Sequence, residues 1–158
     1  ADQVTLMVRT NRGEGRREVD AVASGGERSR IYLGLTALVR GREEPPLLLL
    51  DEIDAGLGLD AARPVARLLE DLASFGGQVI CITHLPTMAV HGRSHWRAVK
   101  ESVEDRTVLH VHPVKDEARL QELERLLGNE QPDEAEGSRR AFAEQLLQEA
   151  EAGASGGN

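Results

Sequence analysis

The chain has 158 residues, of which 40% are hydrophobic and 3% are aromatic, so it can form one globular domain with an aliphatic core. Its net charge of −8 argues against a domain that coats nucleic acid through a general basic excess. No apolar run approaches the roughly 18 residues of a membrane span, and no membrane partner is expected. The single cysteine, Cys81, cannot form an internal disulfide, which favours a reducing compartment such as the cytoplasm.

The first part of the chain predicts a strand, a turn and a helix. Gln3–Arg9 alternates weakly and predicts a strand, and the polar stretch 10–17 predicts a turn. Ser24 and Glu27 have the spacing of a capping box, so a helix is predicted over Gly26–Val39. The apolar face of this helix is expected to contain three side chains at helical spacing: Ile31, Leu35 and Leu38.

Four leucines, Leu47–Leu50, follow a polar linker and run directly into Asp51 and Glu52. An all-apolar run of this length is typical of a central parallel strand that is buried on both faces. Such a strand brings both carboxylates to the carboxyl edge of the sheet, where open α/β sheets bind ligands. Taken alone, the stretch is equally compatible with a buried strand that ends in a solvated acidic turn.

A loop, a helix and a second strand follow. Ile53–Gly58 contains two glycines and predicts the loop, and Asp60–Leu72 predicts a helix in which Pro64 is tolerable only within the first turn. Gln78–Thr83 predicts the second buried strand. The order strand, helix, strand implies a βαβ unit with parallel pairing. His84 follows the second strand directly and is therefore expected at the same edge as the two carboxylates.

The last part of the chain predicts a hairpin and two helices. Trp96–Lys100 and Thr107–Val111 predict antiparallel strands, and Asp116–Leu127 predicts an amphipathic helix that ends at Gly128. His110 and His112 lie two residues apart, but without a nearby carboxylate or cysteine set they are a weak metal motif. The predicted domain boundaries are a main domain over 1–128, an acidic linker over 129–137, a helix over 138–151 and a frayed tail over 152–158.

Three of these features together suggest phosphate chemistry. The glycine-rich helix start at Ser24–Glu27 offers backbone N–H groups and the positive end of the helix dipole to an anion. Asp51 and Glu52 could hold a hydrated Mg²⁺ on a nucleotide phosphate, and His84 ends the neighbouring strand. Phosphoryl transfer to water requires an anion-binding site, a carboxylate that binds the metal, a second carboxylate and a histidine. Each feature alone is weak, because such a helix start is more often an ordinary cap and a histidine after a strand is more often a loop hydrogen-bonding residue.

The motifs resemble those of the C-terminal lobe of an ABC-type ATPase head. Ser24–Glu27 resembles the ABC signature motif, and Leu47–Glu52 resembles Walker B with the catalytic glutamate. Asp54–Gly58 resembles the D-loop, and His84 resembles the switch histidine. Within that superfamily the chain is most similar to the RecN family of SMC-like bacterial double-strand-break repair proteins. The strings that carry this similarity are Val22–Glu27 followed by Ser29-Arg30, Asp51–Gly58, and Cys81–Pro86.

The resemblance covers roughly Val4–Gly128 and has departures. Arg28, Leu59 and Thr87 stand where an apolar residue, a glycine and a glutamine are common in the family. These positions depart from the family pattern but change none of the chemical groups. The implied fold is α/β: the C-terminal lobe of an ABC/SMC-type P-loop NTPase head, a mostly parallel sheet flanked by helices with a terminal β-hairpin.

The resemblance also implies a division of roles. Asp51 would hold the Mg²⁺ shell, Glu52 would deprotonate the attacking water, and His84 would contact the γ-phosphate of ATP. Ser24 and Gly26 would bind the γ-phosphate of ATP held by a second head. The complete set of expected nucleotide-binding residues is Ser24, Gly25, Gly26, Glu27 and Asp54, of which Asp54 would couple the two sites.

The sequence contains no P-loop, since its two lysines, Lys100 and Lys115, follow Val99 and Val114 instead of glycine. In the resembled family the P-loop lies in an N-terminal lobe, beyond a long coiled coil. We therefore expect this chain to be the C-terminal half of a split head, active as an ATPase only when that lobe completes it.

The expected partners are the N-terminal lobe, a second head in an ATP-dependent homodimer, and DNA through the full-length protein, in the cytoplasm and associated with the nucleoid. Two alternatives stay open: a non-catalytic ABC-like interaction domain and a fragment of an ABC transporter ATPase. Retention of Glu52 and His84 argues against the first, because a fold needs neither. The strings Ile53–Gly58 and Cys81–Pro86 argue against the second.

Overall fold

The computed structural model describes residues 5–9, 13, 15–22, 24–39, 47–74, 76–103, 106–130 and 135–155. The elements are β1 (Met7–Val8), β2 (Arg17–Glu18), α1 (Val19–Val22), α2 (Gly25–Val39), β3 (Leu47–Leu50), α3 (Leu59–Ser74), β4 (Gln78–Cys81), α4 (Pro86–Ala89), β5 (His95–Val103), β6 (Arg106–Val114), α5 (Asp116–Glu130) and α6 (Glu136–Ser155). The chain divides into a first unit, Ala1–Leu57 with Asp71–Ile82, and a second unit, Gly58–Glu70 with Thr83–Asn158.

The first unit contains the predicted parallel strand pair. β3 and β4 are parallel, with a register that runs from Leu47 opposite Gln78 to Leu50 opposite Cys81. The Ile82 N–H donates to the Leu50 carbonyl over 2.8 Å and extends this pairing beyond β4. A short antiparallel pair, β1 with β2, lies in the same unit. The βαβ arrangement predicted from the sequence is therefore confirmed.

The prediction that β3 is buried on both faces is wrong for the described chain. Leu48 and Leu50 are half-buried, whereas Leu47 and Leu49 on the opposite face are exposed, Leu49 by 68%. Within the described ranges, β3 and β4 form a two-stranded sheet with one face covered. An apolar run predicts a strand that can be buried on both faces, but it does not specify what covers it.

The predicted apolar face of α2 is also different. Leu38 is 82% exposed and Leu35 is exposed, whereas Gly26 and Leu33 are buried. Gly26 and Leu33 are seven residues apart, so they lie on one face of the helix. At Gly26 this face meets the loop after β3.

Pro64 lies inside α3, beyond its first turn, contrary to the sequence prediction. A proline there removes one backbone hydrogen bond and normally bends or breaks a helix. α3 nevertheless continues to Ser74, and burial of its apolar side chains offsets the lost bond. The buried side chains are Ala62, Ala66, Leu69 and Leu72.

The second unit contains the hairpin and the main aliphatic core. β5 and β6 pair in antiparallel register from His95 opposite Val114 to Val103 opposite Arg106, which confirms the predicted hairpin. α5 and α6 share a buried cluster with Val90, made of Leu120, Leu123, Leu126, Leu127, Ala143, Leu146 and Ala150. The low aromatic content thus leads to a core of leucine and alanine.

Both C-terminal helices are longer than the sequence predicted. α5 reaches Glu130 and α6 covers Glu136–Ser155, so both reach into the predicted linker. The proposed division into domains stays a prediction. None of the helices in the described ranges combines the length and the apolar character that crossing a membrane requires.

Replacement of Leu123 by alanine should destabilise the protein strongly, because Leu123 is 0% exposed in the α5–α6 core. A large-to-small change at such a site lowers the free energy of unfolding by about 2–5 kcal/mol. Leu109→Ala is the matched control, since Leu109 is 56% exposed on β6, and it should change stability by less than about 0.5 kcal/mol. Urea denaturation followed by circular dichroism measures both. Equal effects of the two variants would contradict the assigned core.

Candidate functional site

The start of α2 is closed by a reciprocal capping box. The Glu27 N–H donates to Ser24 Oγ over 3.3 Å, and the Ser24 N–H donates to Glu27 Oε2 over 2.9 Å. The predicted capping box is therefore confirmed. Ser24 and Gly25 are exposed, so the positive end of the α2 dipole is accessible to an anion.

Gly26 allows α2 to approach the loop after β3 very closely. A Cβ atom at this position would lie 3.1 Å from the Glu52 carbonyl oxygen, 3.1 Å from Arg30 Nη1 and 3.2 Å from Ala55 Cβ. Only glycine fits this contact without displacing its neighbours. The helix start and the carboxylate-bearing loop are therefore in direct contact within the first unit.

Arg30 fixes the same contact by hydrogen bonds. Its Nη1 donates to the Ile53 carbonyl over 2.8 Å and to the Ala55 carbonyl over 3.1 Å. Both bonds are partly buried and charge-assisted, which makes them stronger than neutral ones. Sequence reasoning gave Arg30 no role. The available signal was its position four residues after Gly26, which places both residues on one face of α2.

The 51–57 loop is a compact turn that holds one residue in a strained conformation. The Ala55 N–H donates to the Glu52 carbonyl over 3.0 Å, and the Leu57 N–H donates to the Asp54 carbonyl over 2.9 Å. Glu52 has φ +55°, a left-handed conformation that costs a non-glycine residue about 1–3 kcal/mol. The loop exposes the Asp51 and Glu52 side chains while it buries Ile53 and Asp54.

The carboxyl ends of β3 and β4 lie in a negative electrostatic field. Burial, together with the smaller effects of the Asp54 and Asp51 charges, raises the pKa of the Cys81 thiol to about 11. A bound cation would relieve this field. Asp51 is exposed at the strand end and is the candidate ligand.

These residues fit Mg²⁺ better than a metal held entirely by protein. Among the described residues, no group of three or more His, Cys, Asp or Glu side chains is gathered into a metal cage. Mg²⁺ is typically held by one or two carboxylates together with phosphate oxygens and water. One exposed aspartate in the loop that contacts the exposed start of α2 is compatible with this pattern.

The position of His84 relative to the other expected site residues stays a prediction. His84 is exposed, follows β4 closely in the sequence, and belongs to the second unit. The remaining predicted positions all belong to the first unit: Ser24, Gly25, Gly26, Glu27, Asp51, Glu52 and Asp54. The chemical roles of all these residues, His84 included, also stay predictions.

The fold and the site define a class of protein. A parallel strand pair joined by α3, with carboxylates at the strand end and a glycine-rich helix start against the loop that carries them, is a lobe of the P-loop NTPase type. Residues 6–88 match the family model described as "AAA domain, putative AbiEii toxin, Type IV TA system". This match covers more than half of the chain, and the chain belongs to this AAA-domain family.

Similarity to individual proteins agrees with the motifs. The chain is 38% identical over 146 residues to the DNA repair protein RecN of Treponema pallidum, which covers 92% of this chain and 25% of that protein. The RecN of Vibrio cholerae is 36% identical over 92% of this chain and 26% of its own length. The RecN of Streptomyces coelicolor is 36% identical over 96% of this chain and 26% of its own length. The predicted resemblance to RecN is confirmed, and the chain spans about a quarter of these curated relatives.

A solved structure is also similar at a lower level. It is described as "Structural biochemistry of ATP-driven dimerization and DNA stimulated activation of SMC ATPases" and has a TM-score of 0.49 with 24% sequence identity. The match covers 73% of this chain and 68% of that chain.

Alanine substitutions at the two neighbouring glycines should have different effects. In Gly26→Ala the added Cβ meets the Glu52 carbonyl and Ala55, which should lower the free energy of unfolding by about 1–3 kcal/mol. In Gly25→Ala nothing lies within 4 Å of the added Cβ, so the change should be close to neutral. Thermal and urea denaturation of both variants measure the difference. A Gly26→Ala variant as stable as Gly25→Ala would contradict the close contact between α2 and the loop.

Proposed function

We propose that this chain is the C-terminal part of an ATP-binding and ATP-hydrolysing head of a RecN-like protein that acts in DNA double-strand-break repair and recombination. The observation that carries the proposal is the contact of Gly26 with the Glu52 carbonyl. It joins an anion-accepting helix start to the two strand-end carboxylates. The DNA repair role is taken from the relatives named RecN, of which the chain spans about a quarter.

In this proposal each carboxylate has its own task. Glu52 accepts a proton from the water that attacks the γ-phosphorus of ATP, and the products are ADP and phosphate. Asp51 would hold the Mg²⁺, which when bound would neutralise charge on the phosphates. His84 contacts the γ-phosphate. The strained conformation of Glu52 supports this assignment, because strain of this kind is often retained at functional sites.

The proposal requires two partners that supply what the sequence lacks. An N-terminal lobe would contribute the P-loop, because no lysine of this chain can end that motif. A second copy of the head would present its own ATP to Ser24, Gly25, Gly26 and Glu27. The exposed start of α2 supports such an arrangement, because its positive dipole end is open to a phosphate from outside. DNA engagement would belong to the full-length protein, in the cytoplasm on the nucleoid.

Glu52→Gln should lower the ATP turnover of the complete protein by about 10²–10⁴, the usual contribution of a general base. ATP binding should be retained, because the amide keeps the shape of the side chain and removes only its basicity. Steady-state phosphate release and equilibrium binding of a fluorescent ATP analogue measure the two effects.

Glu18→Gln is the control for Glu52→Gln, since Glu18 is exposed on β2 in the same unit and has no proposed role. It should leave turnover unchanged. If Glu52→Gln hydrolysed ATP at the parent rate, Glu52 would not be the general base of the reaction.

Ser24→Arg should prevent ATP-dependent dimerisation while one head still binds ATP, because a bulky cation would occupy the γ-phosphate position. Thr36→Arg is the control, since Thr36 is exposed further along α2. The lost helix cap should lower the free energy of unfolding by about 1 kcal/mol in Ser24→Arg, which denaturation measures separately. Sedimentation velocity with ATP should show a dimer for Thr36→Arg and a monomer for Ser24→Arg. A dimer in both variants would disprove the trans-acting role of the α2 start.

A further inference from the structure

The second unit contains a cavity that takes no part in the proposed ATP chemistry. Its volume is about 440 Å³, and it lies where the open end of the β5–β6 hairpin meets the first turn of α5. Its main lining side chains are Arg93, His95, Trp96, Lys115 and Arg119. The volume is within the usual range of small-molecule sites, about 300–1,000 Å³.

The cavity is locally positive in an acidic chain. Arg93, Lys115 and Arg119 line it, and Asp116 is the one acidic residue among the described lining side chains. The chain as a whole carries a net charge of −8. A cavity lined by cations in an acidic chain favours an anionic ligand.

Two buried polar atoms of the lining have no hydrogen-bond partner in the described structure: His95 Nδ1 and Arg119 Nε. Buried polar atoms are nearly always bonded, so both atoms are unsatisfied positions that an ordered water can fill. Arg119 is held in place through Nη2, which donates to the carbonyls of Val90 over 2.8 Å and Gly92 over 2.9 Å. Burial and the nearby Arg119 charge lower the pKa of His95, which favours the neutral form of its ring.

Trp96 adds an aromatic surface at the same place. It lies opposite Pro113 in the hairpin, lines the cavity and is 58% exposed, which is unusual for so large an apolar side chain. An exposed indole beside cations is the combination that stacks a base and holds its phosphate in single-stranded nucleic acid sites. Binding of an inorganic anion would not require the indole.

We propose that this cavity binds one nucleotide unit of a single-stranded nucleic acid. The base stacks on Trp96, the phosphate contacts Arg93 and Lys115, and His95 bonds a polar edge of the nucleotide. A free nucleotide has the same chemistry, and the experiment separates the two sources. The site shares no residue with the proposed ATPase site, so either can fail without the other.

The fluorescence of Trp96, the single tryptophan of the chain, reports binding directly. The 158-residue chain is titrated with a thymidine tetranucleotide, thymidine monophosphate, an abasic phosphodiester of equal length and inorganic phosphate. The tetranucleotide should quench Trp96 emission at the lowest concentration. The other three should bind more weakly by at least about fivefold, because each lacks one neighbouring phosphate or the stacked base.

Arg93→Gln should weaken tetranucleotide binding about fivefold at 0.1 M salt and reduce the salt slope by about 0.7, the effect of one lost phosphate contact. Arg106→Gln is the matched control, because Arg106 is exposed at the far end of the hairpin. It should change affinity by less than about twofold. With a fluorescein-labelled tetranucleotide, anisotropy should show that Trp96→Phe keeps most of the affinity and that Trp96→Ala loses about 5- to 150-fold, the range of one stacked base.

Four results would overturn the proposal. Trp96 emission could be insensitive to the tetranucleotide, or Arg106→Gln could weaken binding as much as Arg93→Gln. Equal affinity for the abasic strand would remove the stacking on Trp96. If thymidine monophosphate bound as tightly as the tetranucleotide, the cavity would be a site for free nucleotides and not for a single strand.

Discussion

The candidate site depends on the contact between the Arg30 guanidinium and the 51–57 loop. Arg30 Nη1 lies between the carbonyls of Ile53 and Ala55, and these two oxygens belong to the same turn that carries Glu52. Gly26, one helical turn earlier, lets the backbone of α2 come close enough for these bonds to form. The start of α2 and the 51–57 loop are thereby joined into one structural piece. A phosphate at the helix start and a cation at Asp51 would then act on the same rigid element.

This joining explains how a strained loop can persist. Glu52 is held at φ +55° while its side chain is exposed, an arrangement that local sequence preference does not favour. The buried Ile53 and Asp54, the turn bonds of Ala55 and Leu57, and the Arg30 bonds together offset that strain. A loop fixed in this way presents its carboxylates without reorganisation when a ligand arrives, which is how electrostatic preorganisation contributes to catalysis.

Local patterns in the sequence predicted local structure well. The capping box of Ser24 and Glu27, the parallel pairing of β3 with β4 and the β5–β6 hairpin depend on short-range spacing, and all are present. The roles of Arg30 and Gly26 depend on a contact with residues far along the chain, which periodicity cannot show. For the same reason the apolar run of β3 did not reveal its exposed face. The cavity beside Trp96 was equally invisible, because it is formed by residues from β5, β6 and α5.

Hydrogen exchange of the Ala55 and Leu57 amides tests most directly whether Arg30 holds the loop. Both amides close the 51–57 turn, and Arg30→Gln removes charge-assisted bonds worth about 1.5–3 kcal/mol each. Exchange at both amides should therefore accelerate at least about tenfold in Arg30→Gln. It should stay at the parent rate in Arg28→Gln, which removes an exposed arginine from the same helix. Unchanged exchange in Arg30→Gln, or equal acceleration in both variants, would contradict a loop fixed by Arg30.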